Sequence, residues 1–300
     1  MTSAQTTTLL ITVVLAYSMA LPLRAGLFSV APAAFAAIGA YTCALFMLDL
    51  HTNFAVATLV AVGGCMAIGA LLCLPLARVT GLYTAIATLA VLVVTEGIIS
   101  SLAITGGSTG LIEIPQGDTR PFLIGLIIAI LITWIWLDYS QIGRRFDAAG
   151  TDPVLASVRG INVGLTRAVA LVVSEGLAAA AGAAYAHTFY VLTPEAFGFS
   201  FAIEIAAVAV VGGATYSLGP LFGGLLLGFV NIAMTGYANW GIAINGLVMV
   251  VVIVLYPEGI AGPLRRLLRD WRPGGHGPRD SGAATGAAHE LGAQGVSTTA

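Results

Sequence analysis

Residues 54–76 read FAVATLVAVGGCMAIGALLCLPL, an apolar segment of 23 residues without a charged side chain. A helix of about 20 mostly apolar residues is long enough to cross the hydrocarbon core of a bilayer. A second apolar segment, 82–104, follows after a short polar break and contains one charged residue, Glu96. Two such segments in succession predict a protein that crosses a membrane more than once.

The composition of the whole chain supports this prediction. Of the 300 residues, 58% are hydrophobic and only 9% are charged, whereas soluble proteins carry about 25% charged residues. Lysine is absent and the formal net charge is −2, so nothing indicates nucleic-acid binding. We therefore predict an all-α, polytopic transmembrane bundle with about nine spans. The predicted spans are 8–23, 27–48, 54–76, 82–104, 121–137, 164–187, 200–213, 220–236 and 241–256.

The arginine positions predict how these spans are oriented. Eleven of the twelve arginines fall on one side of the bilayer, and Arg120 falls on the other. Arginine-rich loops face the cytoplasm, so the N-terminus is predicted outside and the C-terminus inside. Adding or removing one span would break this agreement, which favours an odd number. The arginines of the cytoplasmic side are Arg24, Arg78, Arg144, Arg145, Arg159, Arg167, Arg265, Arg266, Arg269, Arg272 and Arg279.

Three segments need separate expectations. Span 27–48 contains Pro32 near its start, which leaves two interpretations open: a continuous helix, or a broken or partly re-entrant one, which a bilayer tolerates only beside protein or water. Residues 273–300 are rich in Gly, Ala, Ser and Thr, which predicts a disordered cytoplasmic tail after one membrane domain, residues 1–272. The first apolar run has no basic residue before it, so we interpret it as a retained span and not as a signal peptide.

The loop between the fifth and sixth spans specifies a short helix outside the membrane. Asp152 is a favourable N-cap, Pro153 fits the first helical position, and Gly160 fits the left-handed position that ends a helix. We therefore predict a helix over 153–159. Its apolar side chains are Val154, Leu155 and Val158. A helix this short is marginal alone, so we expect it to dock on a cytosolic partner; the alternative is a helix lying on the membrane surface.

Three carboxylates lie inside predicted spans: Glu96, Glu175 and Glu204. A charge at the bilayer centre costs about 2.5–3.5 kcal/mol on insertion scales, and such residues usually face the bundle interior or a wet cavity. Two interpretations are open. The carboxylates form a relay for protons or substrate, as in a proton-coupled secondary transporter, or they are protonated and hydrogen-bond to a neighbouring helix.

Motifs for catalysis, nucleotide binding and metal binding are missing from the sequence. A Walker-type loop requires a lysine, and an intramembrane metalloenzyme would show a pattern such as H-E-x-x-H. The three cysteines, Cys43, Cys65 and Cys73, lie in apolar runs without metal or disulfide spacing, so we interpret them as small core residues. No catalytic residue, metal or cofactor is therefore predicted in this chain, and ATP-driven transport would need its ATPase on another chain.

Five blocks of sequence stand out between about residues 20 and 260. They are GLFSVAPAAFAAIGAY (26–41), GLYTAIATLA (81–90), TGGSTGLIEIP (105–115), the loop 143–163, and the stretch 194–220 with Ile203-Glu204 and Val211-Gly212-Gly213. In this order they resemble the LivM-type permeases of branched-chain amino acid ABC importers. The chain departs from the family pattern at Ala31, Pro32 and Glu175, and relatives also carry urea, short amides and other small amino acids.

The resemblance implies a permease subunit of the bacterial inner membrane that imports branched-chain or similar small amino acids. It implies a LivH-type second permease, two cytosolic ATPase subunits that hold ATP and Mg, and an extracytoplasmic solute-binding protein as partners. The 153–159 helix would be the coupling helix that binds the ATPase. Its expected coupling residues are Arg144, Asp152, Pro153, Leu155, Val158 and Gly160. For the translocation pathway we select Phe28, Ser29, Tyr41, Glu96 and Glu204.

Overall fold

The computed structural model describes residues 3–76, 81–213 and 217–233, all within one compact unit, Met1–Gly262. This part of the chain is almost entirely helical, as predicted. The helices are α1 (Ser3–Arg24), α2 (Ala31–Asp49), α3 (Phe54–Leu76), α4 (Leu82–Ser101), α5 (Arg120–Tyr139), α6 (Gln141–Thr151), α7 (Pro153–Val158), α8 (Val163–Thr188), α9 (Phe199–Gly212) and α10 (Gly219–Ala233).

Seven helical stretches in the described residues are long and apolar enough to cross a membrane. They are α1 to α5, α8, and the stretch Pro194–Gly212 that includes α9; α10 is apolar but shorter. The first eight predicted spans each form a helix. The predicted ninth span, 241–256, and the predicted tail, 273–300, lie outside the described residues. The polytopic fold is therefore confirmed, and the count of nine stays a prediction.

Helix α8 forms the centre of the bundle, packed against α1, α2 and α3. Small residues allow this close packing: a Cβ atom added to Gly39 would come within 2.5 Å of the Ala179 backbone, and one added to Gly182 would collide with the carbonyl oxygen of Ala36. Helices α1, α2 and α8 are consequently mostly buried, whereas α3, α4 and α5 expose most of their apolar surface.

The structure decides between the two interpretations of the second span, since its helix is unbroken. Helix α2 is continuous from Ala31 to Asp49, with Pro32 in its first turn, where a missing amide hydrogen costs nothing. The four residues before it, 27–30, are not helical. The amide of Val30 donates a hydrogen bond to Oγ1 of Thr88 on α4, at 3.0 Å. The proline therefore opens this span and does not interrupt it.

The arginines of the described residues group as the sequence predicted. At one end of the bundle, Arg24 pairs with Asp138 and Asp147, and Arg167 lies 3.5 Å from the carbonyl oxygen of Ala25. At the other end, β1 (Leu111–Ile112) pairs antiparallel with β2 (Val191–Leu192), tying the loop before α5 to the loop after α8. Arg120 begins α5 on that side. Which end faces the cytoplasm stays a prediction.

Helices α9 and α10 form a short hairpin packed on α1. Helix α9 has 14 residues and is about 21 Å long, and the described part of α10 has 15 residues. The hydroxyl of Tyr17 on α1 donates a hydrogen bond to the carbonyl oxygen of Ser217, at 2.7 Å. A Cβ atom on Gly224 would lie 2.8 Å from Cα of Val13, and one on Gly228 would lie 3.3 Å from Cγ of Leu9, so these glycines serve close packing within the chain.

Candidate functional site

The predicted extramembrane helix is present as α7, Pro153–Val158. Oδ1 of Asp152 accepts hydrogen bonds from the amides of Val154 and Leu155, both at 2.9 Å, so Asp152 is the N-cap that the sequence indicated. Gly160 has φ +79°, the left-handed conformation expected after a helix. The helix is one residue shorter than predicted because Arg159 is its C-cap.

The apolar side chains of α7 point away from the bundle. Val154 is 72% exposed, Leu155 47% and Val158 79%, whereas Ala156 is buried. Exposing apolar side chains to water outside the membrane-spanning helices is unfavourable. Such a cluster is typical of a binding site for another protein or for a membrane. We call Val154, Leu155 and Val158 the docking cluster.

Sequence reasoning missed α6, which immediately precedes α7. The sequence predicted only one helix, 153–159, in the loop between the fifth and sixth spans, but Gln141–Thr151 is helical as well. Oγ of Ser140 caps this helix by accepting a hydrogen bond from the amide of Gly143, at 3.1 Å. The signals were a serine N-cap followed by buried residues three positions apart. These buried residues are Gly143, Phe146 and Ala149.

Helix α6 also holds Arg144, which was predicted to take part in coupling. The Arg144 side chain is exposed and donates a hydrogen bond to the carbonyl oxygen of Tyr139, at 3.4 Å. It therefore lies one helix before the docking cluster and leaves its guanidinium accessible to a partner.

A buried arginine connects α6 to the rest of the bundle. Arg24, the last residue of α1, is 6% exposed. Its Nε and Nη2 atoms donate to the two carboxylate oxygens of Asp147 on α6, at 2.7 and 3.0 Å. Its Nη1 atom lies 2.7 Å from Oδ1 of Asp138 on α5. Sequence reasoning grouped Arg24 with the arginines of this loop but could not reveal partners more than 110 positions away.

Removing the N-cap of α7 provides a local test of this geometry. Asp152→Ala is expected to cost about 1 kcal/mol of helix stability, so amide hydrogen exchange over 153–158 should quicken by roughly fivefold. Asp152→Asn is the matched control because its side-chain oxygen can still accept both amide hydrogen bonds. Equal exchange rates in Asp152→Ala and the wild type would contradict the capping role.

The five predicted pathway residues do not form one site. Phe28 and Ser29 precede α2 at the Arg24 end; Phe28 is 42% exposed, and buried Ser29 accepts a hydrogen bond from the Ala31 amide at 3.3 Å. Tyr41 is ten residues further along α2 than Ala31, roughly 15 Å away along the axis. The Tyr41 hydroxyl donates to the carbonyl oxygen of Leu192, at 3.0 Å, and so fixes β2 to α2.

The two predicted pathway carboxylates have different surroundings. Glu96 on α4 is partly exposed and lies beside Gly198, where an added Cβ atom would be 3.5 Å from its Oε2. Oε1 of Glu204 on α9 accepts a hydrogen bond from Nδ2 of Asn231 on α10, at 2.8 Å. Glu204 thus fits the interpretation of a carboxyl group that bonds to a neighbouring helix.

The third carboxylate, Glu175 on α8, is the most buried of the three at 1% exposure. It occupies a notch on α3, because a Cβ atom at Gly69 would collide with Oε2 of Glu175. Among the described residues, no donor reaches that oxygen. The sequence signal for this notch was the glycine at position 69. The notch itself exists only because α3 packs against α8.

A cavity of about 290 Å³ lies between α2, α3 and α4. Its polar lining groups are hydroxyls, and its other lining residues are aliphatic, so it would accept a small, mostly apolar group. Of the predicted pathway residues, only Tyr41 lines it. The lining residues are Ile38, Tyr41, Thr42, Leu45, Ile68, Thr95, Ile98, Ile99, Leu102 and Thr105.

The burial of the three cysteines agrees with their interpretation as small core residues. Cys43, Cys65 and Cys73 are all buried and free. Within the described ranges, no group of three or more His, Cys, Asp or Glu residues is arranged to hold a metal ion.

A bundle of long apolar helices, with a short capped helix that exposes its apolar side chains at one end, defines a polytopic membrane protein. Residues 1–257 match the model of a protein family that is described as the permease component of the branched-chain amino acid transport system. The chain belongs to this family. The family that the five sequence blocks indicated is therefore confirmed.

Individual relatives agree with this assignment. The permease LivM of Escherichia coli K12 is 25% identical over 272 residues, covering 78% of this chain and 64% of the relative. LivH of the same organism is 29% identical over 137 residues, covering 45% of this chain and 44% of LivH. The ribose import permease RbsC of Bacillus subtilis is 27% identical over 141 residues, 44% of each chain. The chain thus spans about half to two thirds of these relatives, and no solved structure matches it.

Proposed function

We propose that this chain is a permease subunit of an ATP-driven importer that moves branched-chain or similar small amino acids across the bacterial inner membrane. Membership of the permease family supports the transport role. The observation that carries the proposal is the docking cluster on α7: three aliphatic side chains exposed on a capped helix outside the spans. A permease without a nucleotide-binding motif needs such a surface to bind the separate ATPase that drives transport.

In this proposal, each permease pairs with a second, LivH-type permease, and two cytosolic ATPase subunits bind ATP and Mg. A solute-binding protein delivers the solute on the other side. The arginine-rich end of the bundle, with α6 and α7, would face the cytoplasm, which sets the N-terminus outside and, for nine spans, the C-terminus inside. ATP binding would move α7, and the bundle would respond by alternating access.

Uptake by proteoliposomes that contain the purified transporter tests the proposed function. With ATP and the ATPase subunits inside and the binding protein outside, labelled leucine should accumulate, and a protonophore should not reduce its uptake. A panel of labelled amino acids, urea, short amides and ribose would then identify the solute class. Uptake that persists without ATP and collapses with a protonophore would establish proton coupling through the intramembrane carboxylates, and the ABC assignment would be wrong.

A further inference from the structure

We infer that Arg24 is the positioning residue that ties the docking helix α7 to the transmembrane bundle, an inference that rests on the proposed function. Arg24 is the last residue of α1 and its side chain is 3% exposed, while the carboxylates of Asp138 and Asp147 are 33% and 47% exposed. One buried cation thus joins three helices: it connects the C-terminal ends of α1 and α5 to the body of α6.

The pairing with Asp147 has a fixed geometry. Two nitrogens of the guanidinium meet two oxygens of one carboxylate, which restricts both the distance and the angle between the partners. The guanidinium carbon also lies 5.9 Å from the ring centroid of Trp134 on α5, within the range of a cation–π contact. Because Asp138 precedes the corner between α5 and α6 and Asp147 follows it, Arg24 also sets how far that corner opens.

Backbone contacts add to this connection. A Cβ atom on Gly26, which has φ +75°, would come 2.9 Å from Cα of Gly150, and one on Gly150 would collide with the carbonyl oxygen of Arg24. The last turn of α6 therefore rests directly on the turn between α1 and α2. A displacement of α6 must push against the segment that leads into α2.

Helix α7 is joined to α6 through a single capping residue. Asp152 is the only residue between them: its amide donates to the carbonyl oxygen of Ala148 on α6, at 3.1 Å, while its carboxylate caps α7. A contiguous path of hydrogen bonds and close contacts thus runs from the docking cluster through Asp152 and Asp147 to Arg24. Motion at an interface is transmitted through such packed, bonded elements.

The decisive variant is Asp147→Asn, which weakens the bond to α6 and leaves the Arg24–Asp138 ion pair in place. In proteoliposomes with the complete transporter, it should retain its ATPase subunits and hydrolyse ATP at a rate within about twofold of wild type. Solute import should fall about tenfold, within the 5–150-fold range of typical coupling between sites. Asp147→Glu should restore most of the import. Asp118→Asn, which removes a carboxylate paired with Arg120 at the opposite end, is the matched control and should import normally.

Other results would overturn the inference. Import and hydrolysis that fall together, or a variant that no longer retains the ATPase, would show that Asp147 acts in docking or folding and not in transmission. Unchanged import would show that α6 needs no ion pair to Arg24. If Asp147→Asn is not recovered as folded protein, Arg24→Lys is the second variant, because it keeps the charge but loses the two-point contact. It should likewise reduce solute import while leaving ATP hydrolysis nearly unchanged. An equal loss of import and hydrolysis would count against the inference. Failure of the proposed function is distinct, because the wild type itself would then retain no ATPase subunit.

Discussion

Leu155→Asp is expected to detach the cytosolic ATPase from this permease while leaving the protein inserted in the membrane. Leu155 is partly exposed at the centre of the docking cluster, between Val154 and Val158. A buried carboxylate without a partner in an interface is strongly unfavourable, and loss of a central apolar contact costs at least about 2 kcal/mol, or roughly a 30-fold lower affinity. The amount of ATPase that co-purifies with the tagged permease measures this effect.

Leu155→Met is the control for this experiment. Methionine has a similar volume and remains apolar, so the docking free energy should change by less than about 1.5 kcal/mol. Equal co-purification with Leu155→Asp and Leu155→Met would exclude α7 as the ATPase contact. It would favour the alternative that α7 lies on the membrane surface. In that case a peptide covering α7 should bind lipid vesicles, and the same peptide with the Leu155→Asp substitution should be released from them.

Gly182→Val is expected to have the largest effect on folding. Gly182 on α8 faces α2 so closely that a Cβ atom would collide with the backbone carbonyl of Ala36. The backbone of a central helix cannot move aside as a flexible side chain can, so overpacking should cost about 3 kcal/mol. We expect a clear fall in the melting temperature in detergent and in the yield of monodisperse protein.

Gly125→Val is the matched substitution at an open position. Gly125 lies in the second turn of α5, and nothing comes within 4 Å of an added Cβ atom in the described part of the chain. Its melting temperature should stay close to that of the wild type. Comparable destabilisation by the two variants would mean that loss of glycine, and not the α2–α8 contact, causes the effect.

The sequence predicted α7 well because its signals are local. An N-cap, a proline in the first turn and a left-handed glycine each act on backbone groups within about four positions of themselves, and all three have the predicted role at Asp152, Pro153 and Gly160. The same kind of signal was present at Ser140, where a capping side chain begins α6. In that region we predicted no helix and did not recognise the serine cap.

The predicted pathway residues show where such reasoning ends. Glu204 and Tyr41 were selected for the translocation pathway, but their partners, Asn231 and the carbonyl of Leu192, lie on other helices and loops, and that of Tyr41 is far along the chain. Glu175 was identified as unusual, yet the notch at Gly69 that receives it exists only because α3 packs on α8. No spacing rule relates residues on separate helices.

The sequence by itself determined that this protein is a helical membrane protein, where its described spans lie, and that a short helix stands outside them. Hydropathy, arginine placement and capping act over one helix or one loop, so a linear pattern contains them. The tertiary structure decided which helix is central, that Pro32 opens α2, and that Arg24 joins α1 to Asp138 and Asp147. Those features depend on contacts between distant segments, which follow from how small residues and buried charges fit together after the helices have formed.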